Sequence, residues 1–264
     1  MNKFFAAPRK VKVLARRMIL LNLLYLQSLT EMRRQLRDFR SVLSIFLFPT
    51  IYLIASITIN RSVMQQLGRD WIQYAVVYAT SLSVLSIGLM DFPTRFHYDR
   101  SKNWNRMLQV TPLARSIYLL AKIVTQLLLQ ACAIILVFLI AALFFHVVFS
   151  LTKDLLLMLW LLFSELTFLA IGLCIGMAGS ATNFISFLVF MGLLLISGML
   201  ATIHGIPTWL EHAMPTYSLL QNAMAIIHHP FFSLQATGMM LLYAIIFIVF
   251  AVFLDQRKKI DTRG

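Results

Sequence analysis

The sequence predicts an all-α integral membrane protein with six transmembrane helices, an N-terminal amphipathic interfacial helix and a short helix in a cytoplasmic loop. Of its 264 residues, 60% are hydrophobic and 12% are charged, whereas soluble domains are about half apolar and a quarter charged. The mean hydropathy is +0.81. A spanning helix needs roughly 20 mostly apolar residues, so this length accommodates six spans with their loops and one membrane domain.

Residues 1–40 are predicted to form a cytoplasmic and interfacial helix. The uncharged stretch from Met18 to Thr30 is too short to span a bilayer, and no cleavage site follows it, which argues against a signal peptide. From Met32 to Leu43, apolar residues recur at helical spacing among arginines, as in helices that lie in the membrane interface. A solvated charged helix is the alternative interpretation.

Six largely uncharged stretches follow within residues 41–254. Lipid offers no partners to backbone groups, so these stretches must be helical, and they lack the alternation of barrel strands. Pro49 is expected to bend the first, whereas Gly172, Gly176 and Ser180 would let another helix approach closely. The predicted spans are Ser41 to Ile59, Trp71 to Met90, Ile117 to Phe145, Leu155 to Met177, Ile185 to Ile203 and Leu234 to Leu254.

The positions of Lys and Arg predict that both termini and the loop 92–116 lie in the cytoplasm. Ten basic residues precede residue 41, five lie in that loop, with Lys122 just beyond, and four lie in the tail 255–264. The net charge of +13 is therefore explained by the basic residues that orient the protein in the membrane, and no nucleic-acid partner is expected. The predicted location is the cell (plasma) membrane of a bacterium. The opposite side has three basic residues, Arg61, Arg69 and Lys153.

The loop 204–233 is expected to form short broken helices at the outer interface. It contains no Lys or Arg; its prolines interrupt helices, and Trp209 and Tyr217 suit the headgroup level. A re-entrant excursion and a plain extracellular loop both stay open. Its histidines match no metal motif, and the chain shows neither a phosphate loop nor a nucleophile elbow. We therefore predict no metal site and no catalytic residue.

The most informative stretch lies in the predicted cytoplasmic loop 92–116. Thr111 can cap a helix that Pro112 opens at its first turn. The preceding residues 103–109 would form a separate short helix along the membrane, because Trp104 and Leu108 stand there beside many charges. A generic loop would not need Trp104, Met107 and Leu108 beside so many charges.

The same loop resembles that of the ABC-2 type exporter permeases, particularly the branch of drug and antibiotic exporters. In that branch the loop runs roughly Glu-Arg-x-x-Gly-Trp-x-x-x-Leu-x-x-Thr-Pro-Leu, followed by a basic residue and the third span. Asp99 stands in place of Glu and Asn103 in place of Gly. The layout of spans is also similar along nearly the whole chain. The matching positions are Asp99, Arg100, Asn103, Trp104, Leu108, Thr111, Pro112, Leu113 and Arg115.

The resemblance implies the membrane-spanning permease subunit of an ATP-driven exporter, which moves an amphipathic or lipid-soluble substrate outward. It implies a dimer with an identical or related permease subunit. Each subunit would be seated on a separate ATPase subunit, which binds ATP and Mg²⁺, through the loop 92–116, which would act as the cytoplasmic coupling helix. The chain itself would be no enzyme and hold no cofactor; membrane lipid is its remaining partner. The predicted ATPase-coupling residues are Asp99, Arg100, Asn103, Trp104, Arg106, Met107, Leu108, Thr111, Pro112 and Arg115.

A stand-alone secondary transporter or channel is the alternative function. Such proteins often show internal repeats and intramembrane ionisable groups, whereas this sequence shows no repeat and one clear group, Glu165. An unpaired ionised carboxylate at mid-span would cost at least a few kcal/mol. Glu165 is therefore either neutral and hydrogen-bonded, to a hydroxyl or to Gln126 or Gln130, or it faces a transport path. It is the one candidate path residue.

Overall fold

The computed structural model describes residues 9–59, 69–101, 115–147, 150–197, 207–228 and 231–261. Nearly all of these residues are helical, and none of them forms a β-strand. The all-helical fold class predicted from the sequence is confirmed for this part of the chain.

The helices are numbered in chain order. α2 and α3 are each continuous through one turn of π-helix, and a 3₁₀ turn, Gly179–Ala181, precedes α6. Their bounds are α1, Arg9–Arg37; α2, Phe39–Val42, π turn Leu43–Leu47 and Phe48–Ile59; α3, Arg69–Ser86, π turn Ile87–Asp91 and Phe92–Ser101; α4, Arg115–Phe145; α5, Leu151–Gly176; α6, Thr182–Ile196; α7, Thr208–Ala213; α8, Pro215–His228; and α9, Leu234–Asp261.

Five stretches of the described residues are long and apolar enough to cross a membrane. The apolar part of α2, Leu43–Ile59, is shorter than these. The protein is thus a multi-pass membrane protein, and a sixth crossing, by α2, stays a prediction. The five stretches are Asp70–Ser101, Ile117–Phe145, Leu151–Gly176, Gly179–Ile196 and Leu234–Leu254.

α5 lies at the centre of the helix packing and contacts α3, α4, α6, α8 and α9. Trp160 and Phe168 on α5 are fully buried, and the Trp160 indole N–H donates a hydrogen bond to the Leu219 carbonyl on α8 at 3.0 Å. In contrast, Phe144 on α4 and Val249 on α9 are more than half exposed. Large exposed apolar faces mark contact with a membrane or with another protein, and the outer faces of α4 and α9 are of this kind.

Glycines bring the backbones of α3 and α5 close together. A Cβ added to Gly172 would lie 2.1 Å from the Gly88 carbonyl oxygen, and one added to Gly88 would lie 2.6 Å from Phe168 Cβ. No side chain fits at such distances. The close approach predicted for Gly172 and Gly176 is confirmed, and its partner is α3 of the same chain. Ser180, the third residue of the predicted set, is exposed.

Each π turn is followed, two residues later, by a proline: Pro49 in α2 and Pro93 in α3. A proline has no backbone N–H, and its ring crowds the carbonyl four residues earlier. Those carbonyls belong to Ile45 and Leu89, which lie inside the π turns. The wider turn accommodates the proline without ending the helix. The distortion expected at Pro49 thus takes this form and recurs in α3.

The N-terminal region differs from the prediction. α1 continues to Arg37, and the helix is interrupted at Asp38. The interfacial helix predicted from Met32 to Leu43 is therefore divided between α1 and α2. The Asp38 carbonyl accepts the backbone N–H of Ser41, and its carboxylate accepts the Ser41 hydroxyl at 2.9 Å. Aspartate is a favoured residue at a helix start, which explains why a new helix begins here.

One further boundary differs. α3 continues past the predicted end of the second span, at Met90, through Ser101, and so occupies the first part of the predicted loop 92–116. Within the loop 204–233, the expected short helices are present as α7 and α8, and α8 packs against α3, α5 and α9. Residues 215–228 are therefore part of the packed core and do not form a plain surface loop.

Candidate functional site

The structure describes three of the ten residues predicted to couple to an ATPase. Asp99 and Arg100 lie in the last turn of α3, and Arg115 begins α4. The remaining seven fall outside the described residues, so docking by this loop stays a prediction. They are Asn103, Trp104, Arg106, Met107, Leu108, Thr111 and Pro112.

Asp99 is the centre of a buried charged cluster. Its Oδ2 accepts hydrogen bonds from Arg34 Nη2 at 2.9 Å, from the Tyr118 hydroxyl at 2.7 Å and from Lys122 Nζ. Lys122 Nζ also lies 3.1 Å from Glu31 Oε1, which is 3.2 Å from Arg34 Nη2. We call Glu31, Arg34, Asp99, Tyr118 and Lys122 the Asp99 cluster.

Helical spacing places these side chains together. Glu31 and Arg34 are three residues apart on α1, and Tyr118 and Lys122 are four apart on α4, so each pair shares a helix face. The Thr125 hydroxyl, one turn farther along α4, donates to the Ser28 carbonyl of α1 at 3.2 Å. The two helices therefore pack side by side, and the end of α3 contributes Asp99 to their seam.

The charges of the Asp99 cluster balance, with two carboxylates opposite two cations. Asp99 is 5% exposed, Glu31 4% and Lys122 3%, so none of the three can interact freely with water. Buried charges are stable only when they are paired and hydrogen-bonded. Burial alone would lower the pKa of the Arg34 guanidinium, but its hydrogen bond to Asp99 and the charge of Glu31 raise this pKa overall.

The structure places the Asp99 carboxylate inside the protein, where it holds the start of the loop 102–114. The predicted role of Asp99 in coupling to an ATPase stays a prediction. Tyr118 and Lys122 lie just after the same loop. The sequence did not lead us to predict that Glu31, Tyr118 and Lys122 join Asp99 in a cluster. The available signal was Lys122 itself, a charged residue near the start of an apolar span, which needs a buried partner.

A second polar set joins the α1–α2 junction to α3. Arg95 Nε lies 2.8 Å from Asp91 Oδ2, and Arg95 Nη2 lies 3.5 Å from Asp38 Oδ2. One turn of helix separates Asp91 from Arg95, and the Thr94 hydroxyl donates to Asn183 Oδ1, just inside α6, at 3.0 Å. These contacts border a cavity of about 1110 Å³ between α2, α3 and α6, which we call the α2–α6 groove.

Glu165 is fully buried in α5, at 0% exposure. Neither of its carboxylate oxygens has a hydrogen-bond partner among the described residues. The expected bond to Gln126 or Gln130 is not formed: Gln130 Oε1 accepts the Ser83 hydroxyl at 3.1 Å instead, and the Gln126 amide has no described partner. Glu165 does not line the α2–α6 groove, so its place on a transport path stays a hypothesis.

The comparisons with known proteins agree with this architecture. The sequence model of a family described as "ABC-2 type transporter" matches residues 26–228. The chain is also 26% identical, over 245 residues, to a protein of Bacillus subtilis (strain 168) named "Putative transport permease YvfS"; the alignment covers 90% of this chain and 99% of that one.

Proposed function

Because the chain belongs to the ABC-2 type transporter family, we propose that it is the membrane-spanning subunit of an ATP-driven exporter, driven by a separate ATPase subunit. The matched region, residues 26–228, contains α2 through α8 and the loop 102–114. The observation that supports the proposal most directly is the Asp99 cluster. It ties both ends of this loop to α1 through buried ion pairs.

In this proposal the ATPase subunit, which holds ATP and Mg²⁺, presses on the loop through Trp104, Met107 and Leu108. A buried aromatic anchor with nearby cations is a common arrangement at binding hot spots; here Arg100 and Arg106 supply the charge. Since Asp99 and Lys122 hold the two ends of the loop to α1, displacement of the loop moves α1, α3 and α4 together. The ATPase cycle thereby changes the helix arrangement.

The α2–α6 groove is the proposed start of the substrate path. Its lining combines the charged Asp91 and Arg95 with the apolar Leu47, Ile51 and Phe190. Ligand sites commonly have this composition, mostly apolar with a few fixed polar groups, and it suits an amphipathic or lipid-soluble substrate. We propose that a second permease subunit, identical or related, completes the path.

One observation favours a second candidate function, a stand-alone secondary transporter. Glu165 is an ionisable group buried in a candidate span without a described hydrogen-bond partner, and intramembrane carboxylates often carry protons or ions in such proteins. This candidate needs an ion gradient and no ATPase, so the same experiment separates the two.

The test is reconstitution. We expect the tagged chain to copurify with an ATPase subunit, and liposomes containing both to export an amphipathic fluorescent compound when ATP is supplied. The chain alone should neither hydrolyse ATP nor transport. Trp104→Ala should weaken copurification or uncouple hydrolysis from transport, because it removes the proposed anchor of the docking loop.

The control is Trp209→Ala, which removes a 69% exposed tryptophan of α7 that lies far along the chain from the docking loop and should leave assembly unchanged. Transport by the chain alone, driven by an ion gradient without ATP, would replace this proposal with the secondary transporter. Unchanged assembly and coupling in Trp104→Ala would reject the docking surface.

A further inference from the structure

Six buried polar side chains of the helix bundle carry atoms without a hydrogen-bond partner among the described residues. Each of these side chains is at most 1% exposed. An unpaired polar group is costly to bury, so we expect a ligand that pairs with these atoms. The eight atoms are Ser81 Oγ, Gln126 Oε1 and Nε2, Gln130 Nε2, Ser164 Oγ, Glu165 Oε1 and Oε2, and Thr216 Oγ1.

α3 and α5 run side by side in the same direction. Gly88 of α3 lies against Gly172 of α5, and farther along both helices Phe96 lies against Gly176. Equal steps along the two helices therefore stay level with each other.

Ser81 and Glu165 lie at one level of these two helices. Ser81 is seven residues before Gly88, and Glu165 is seven residues before Gly172. Seven residues are nearly two turns, about 10.5 Å along the axis, and they return to the same helix face. Ser81 and Glu165 thus come from the facing surfaces of α3 and α5.

α4 contributes two glutamines close to this level. Gln130 Oε1 accepts the Ser83 hydroxyl at 3.1 Å, and Ser83 is two residues beyond Ser81, or about 3 Å along the axis. Gln126 precedes Gln130 by four residues and shares its face of α4. Since α4 contacts both α3 and α5, the two amides lie near the level of Glu165.

α5 and α8 run side by side in opposite directions. The Trp160 indole of α5 donates to the Leu219 carbonyl of α8 at 3.0 Å. Earlier in α5 the Lys153 ammonium donates to the Ile227 carbonyl, which lies later in α8. A step forward along α5 therefore stays level with a step backward along α8.

Thr216 and Ser164 accordingly lie at one level of α8 and α5. Thr216 is three residues before Leu219, and Ser164 is four residues after Trp160. These steps are about 4.5 and 6 Å long, so the two hydroxyls have nearly the same depth. Because Ser164 directly precedes Glu165, the first turn of α8 belongs to the same polar layer.

Water is the ligand that can pair with every atom of this layer. Gln126 Nε2 and Gln130 Nε2 are donors, so a bound cation would leave both unpaired. The described residues also contain no group of three His, Cys, Asp or Glu that could hold a metal ion. Water both donates and accepts, and buried polar groups that lack a protein partner bind ordered water. The burial of the six side chains excludes a large ligand.

We propose that about three ordered water molecules bind between α3, α4, α5 and α8 at the level of Glu165, since a buried water makes about three hydrogen bonds. We call these molecules and the six side chains the Glu165 water site. It joins α5 and α8 to α3 and α4 through hydrogen bonds that can change partners when the helices move. The site does not rest on the exporter proposal, because the isolated chain contains all of it.

The experiment compares two kinds of hydroxyl-radical labelling of the purified chain in detergent, read by mass spectrometry. X-rays produce radicals from water wherever it is bound, whereas radicals made from peroxide in solution reach exposed side chains. Leu161 and Phe168 lie within one turn of Glu165 and are 0% exposed, so we expect X-rays to oxidise both and peroxide radicals to oxidise neither. The controls are Leu53 of α2, also 0% exposed, which neither source should label, and Leu21 of α1, 64% exposed, which both should label.

Variants locate the water. Gln126→Leu removes two of the unpaired atoms and should reduce the X-ray labelling of Leu161. Ser186→Ala is the matched control, because the Ser186 hydroxyl of α6 is also buried and unpaired but lies near the Thr94–Asn183 contact, far from this level; it should leave the labelling unchanged. The shifts in unfolding midpoint of Gln126→Leu and Glu165→Leu should not add in the double variant, because both residues share water, whereas those of Gln126→Leu and Ser186→Ala should add.

Three results would overturn the proposal. X-rays might leave Leu161 and Phe168 as unlabelled as Leu53, which would show a dry layer; additive rises in unfolding midpoint for Gln126→Leu and Glu165→Leu would show the same. Equal labelling of Leu161 by peroxide radicals would show a site open to solvent. A higher unfolding midpoint in sodium or potassium chloride than in choline chloride, lost in Glu165→Leu, would show a bound cation in place of water.

Discussion

Lys122 is the side chain that holds the Asp99 cluster together, because its ammonium contacts both buried carboxylates. Asp99 accepts three hydrogen bonds, so it keeps two partners when Lys122 is lost. Glu31 keeps Arg34 alone among the described partners. Arg34 is 41% exposed, and it would then have to balance two carboxylates by itself.

We therefore expect Lys122→Gln to lower the free energy of unfolding by about 3–5 kcal/mol, the usual cost of removing one member of a buried ion pair. The measurement is thermal or denaturant unfolding in detergent. Arg33→Gln, an exposed cation of α1, is the matched control and should stay within about 0.5 kcal/mol of the parent. Glu31→Gln added to Lys122→Gln restores the charge balance and should recover part of the loss. A stability for Lys122→Gln equal to that of the control would contradict the assigned role.

Glu165 differs from the carboxylates of the Asp99 cluster, because it is completely buried and the described residues offer it no hydrogen bond. Glu165→Gln keeps the shape and removes titration, so we expect stability to stay the same or rise and ATP-driven transport to persist. Glu165→Ala opens space in the core and should cost about 2 kcal/mol or more. Unfolding midpoints and transport rates distinguish the outcomes. Loss of transport in a well-folded Glu165→Gln protein would indicate a proton-carrying role and favour the secondary transporter.

Among the helix contacts, the one between α3 and α5 leaves no room for a side chain at Gly172. Gly172→Ala would place a Cβ 2.1 Å from the Gly88 carbonyl oxygen, which forces two helix backbones apart. Overpacking of this kind costs about 1–3 kcal/mol and occasionally more, so we expect a lower unfolding midpoint in detergent.

Gly192→Ala in α6 is the matched control. A Cβ there has nothing within 4 Å, and alanine is favoured over glycine in a helix by up to about 1 kcal/mol. This variant should be as stable as the parent or more stable. If both alanine variants had the same stability, the close packing of α3 against α5 would be refuted.

For the whole molecule, the sequence predicted the helices best where composition alone decides them. The third and sixth spans were expected at Ile117 to Phe145 and Leu234 to Leu254, and the same two stretches are candidate spans in the structure. Long uncharged runs have no alternative to the helix in lipid. The small residues Gly172 and Gly176 likewise predicted a close helix contact, because their spacing puts them on one face.

What the sequence could not supply was the choice of partners. Asp99 was predicted only as an ATPase-coupling residue, and the sequence did not indicate the three side chains from two other helices that surround it. Which helices are neighbours is decided by the packing of the whole chain, and spacing within one helix carries no information about it. The same holds for Glu165, whose expected partner Gln130 bonds to Ser83 instead. The apolar residues keep their helical spacing on both sides of Asp38, so the pattern predicted one continuous helix. The helix is nevertheless interrupted there, because Asp38 caps the start of a new one.

The glycine contact also has a mechanical consequence. Because Gly88 and Gly172 leave no room for a side chain between the two backbones, we expect α3 and α5 to move together. Asp99 lies on α3, eleven residues beyond Gly88, or about 16 Å at 1.5 Å per residue. A displacement of the loop would therefore reach the centre of the bundle through the last part of α3. We expect α2 to move relative to α3 and α5 at its own π turn, Leu43–Leu47.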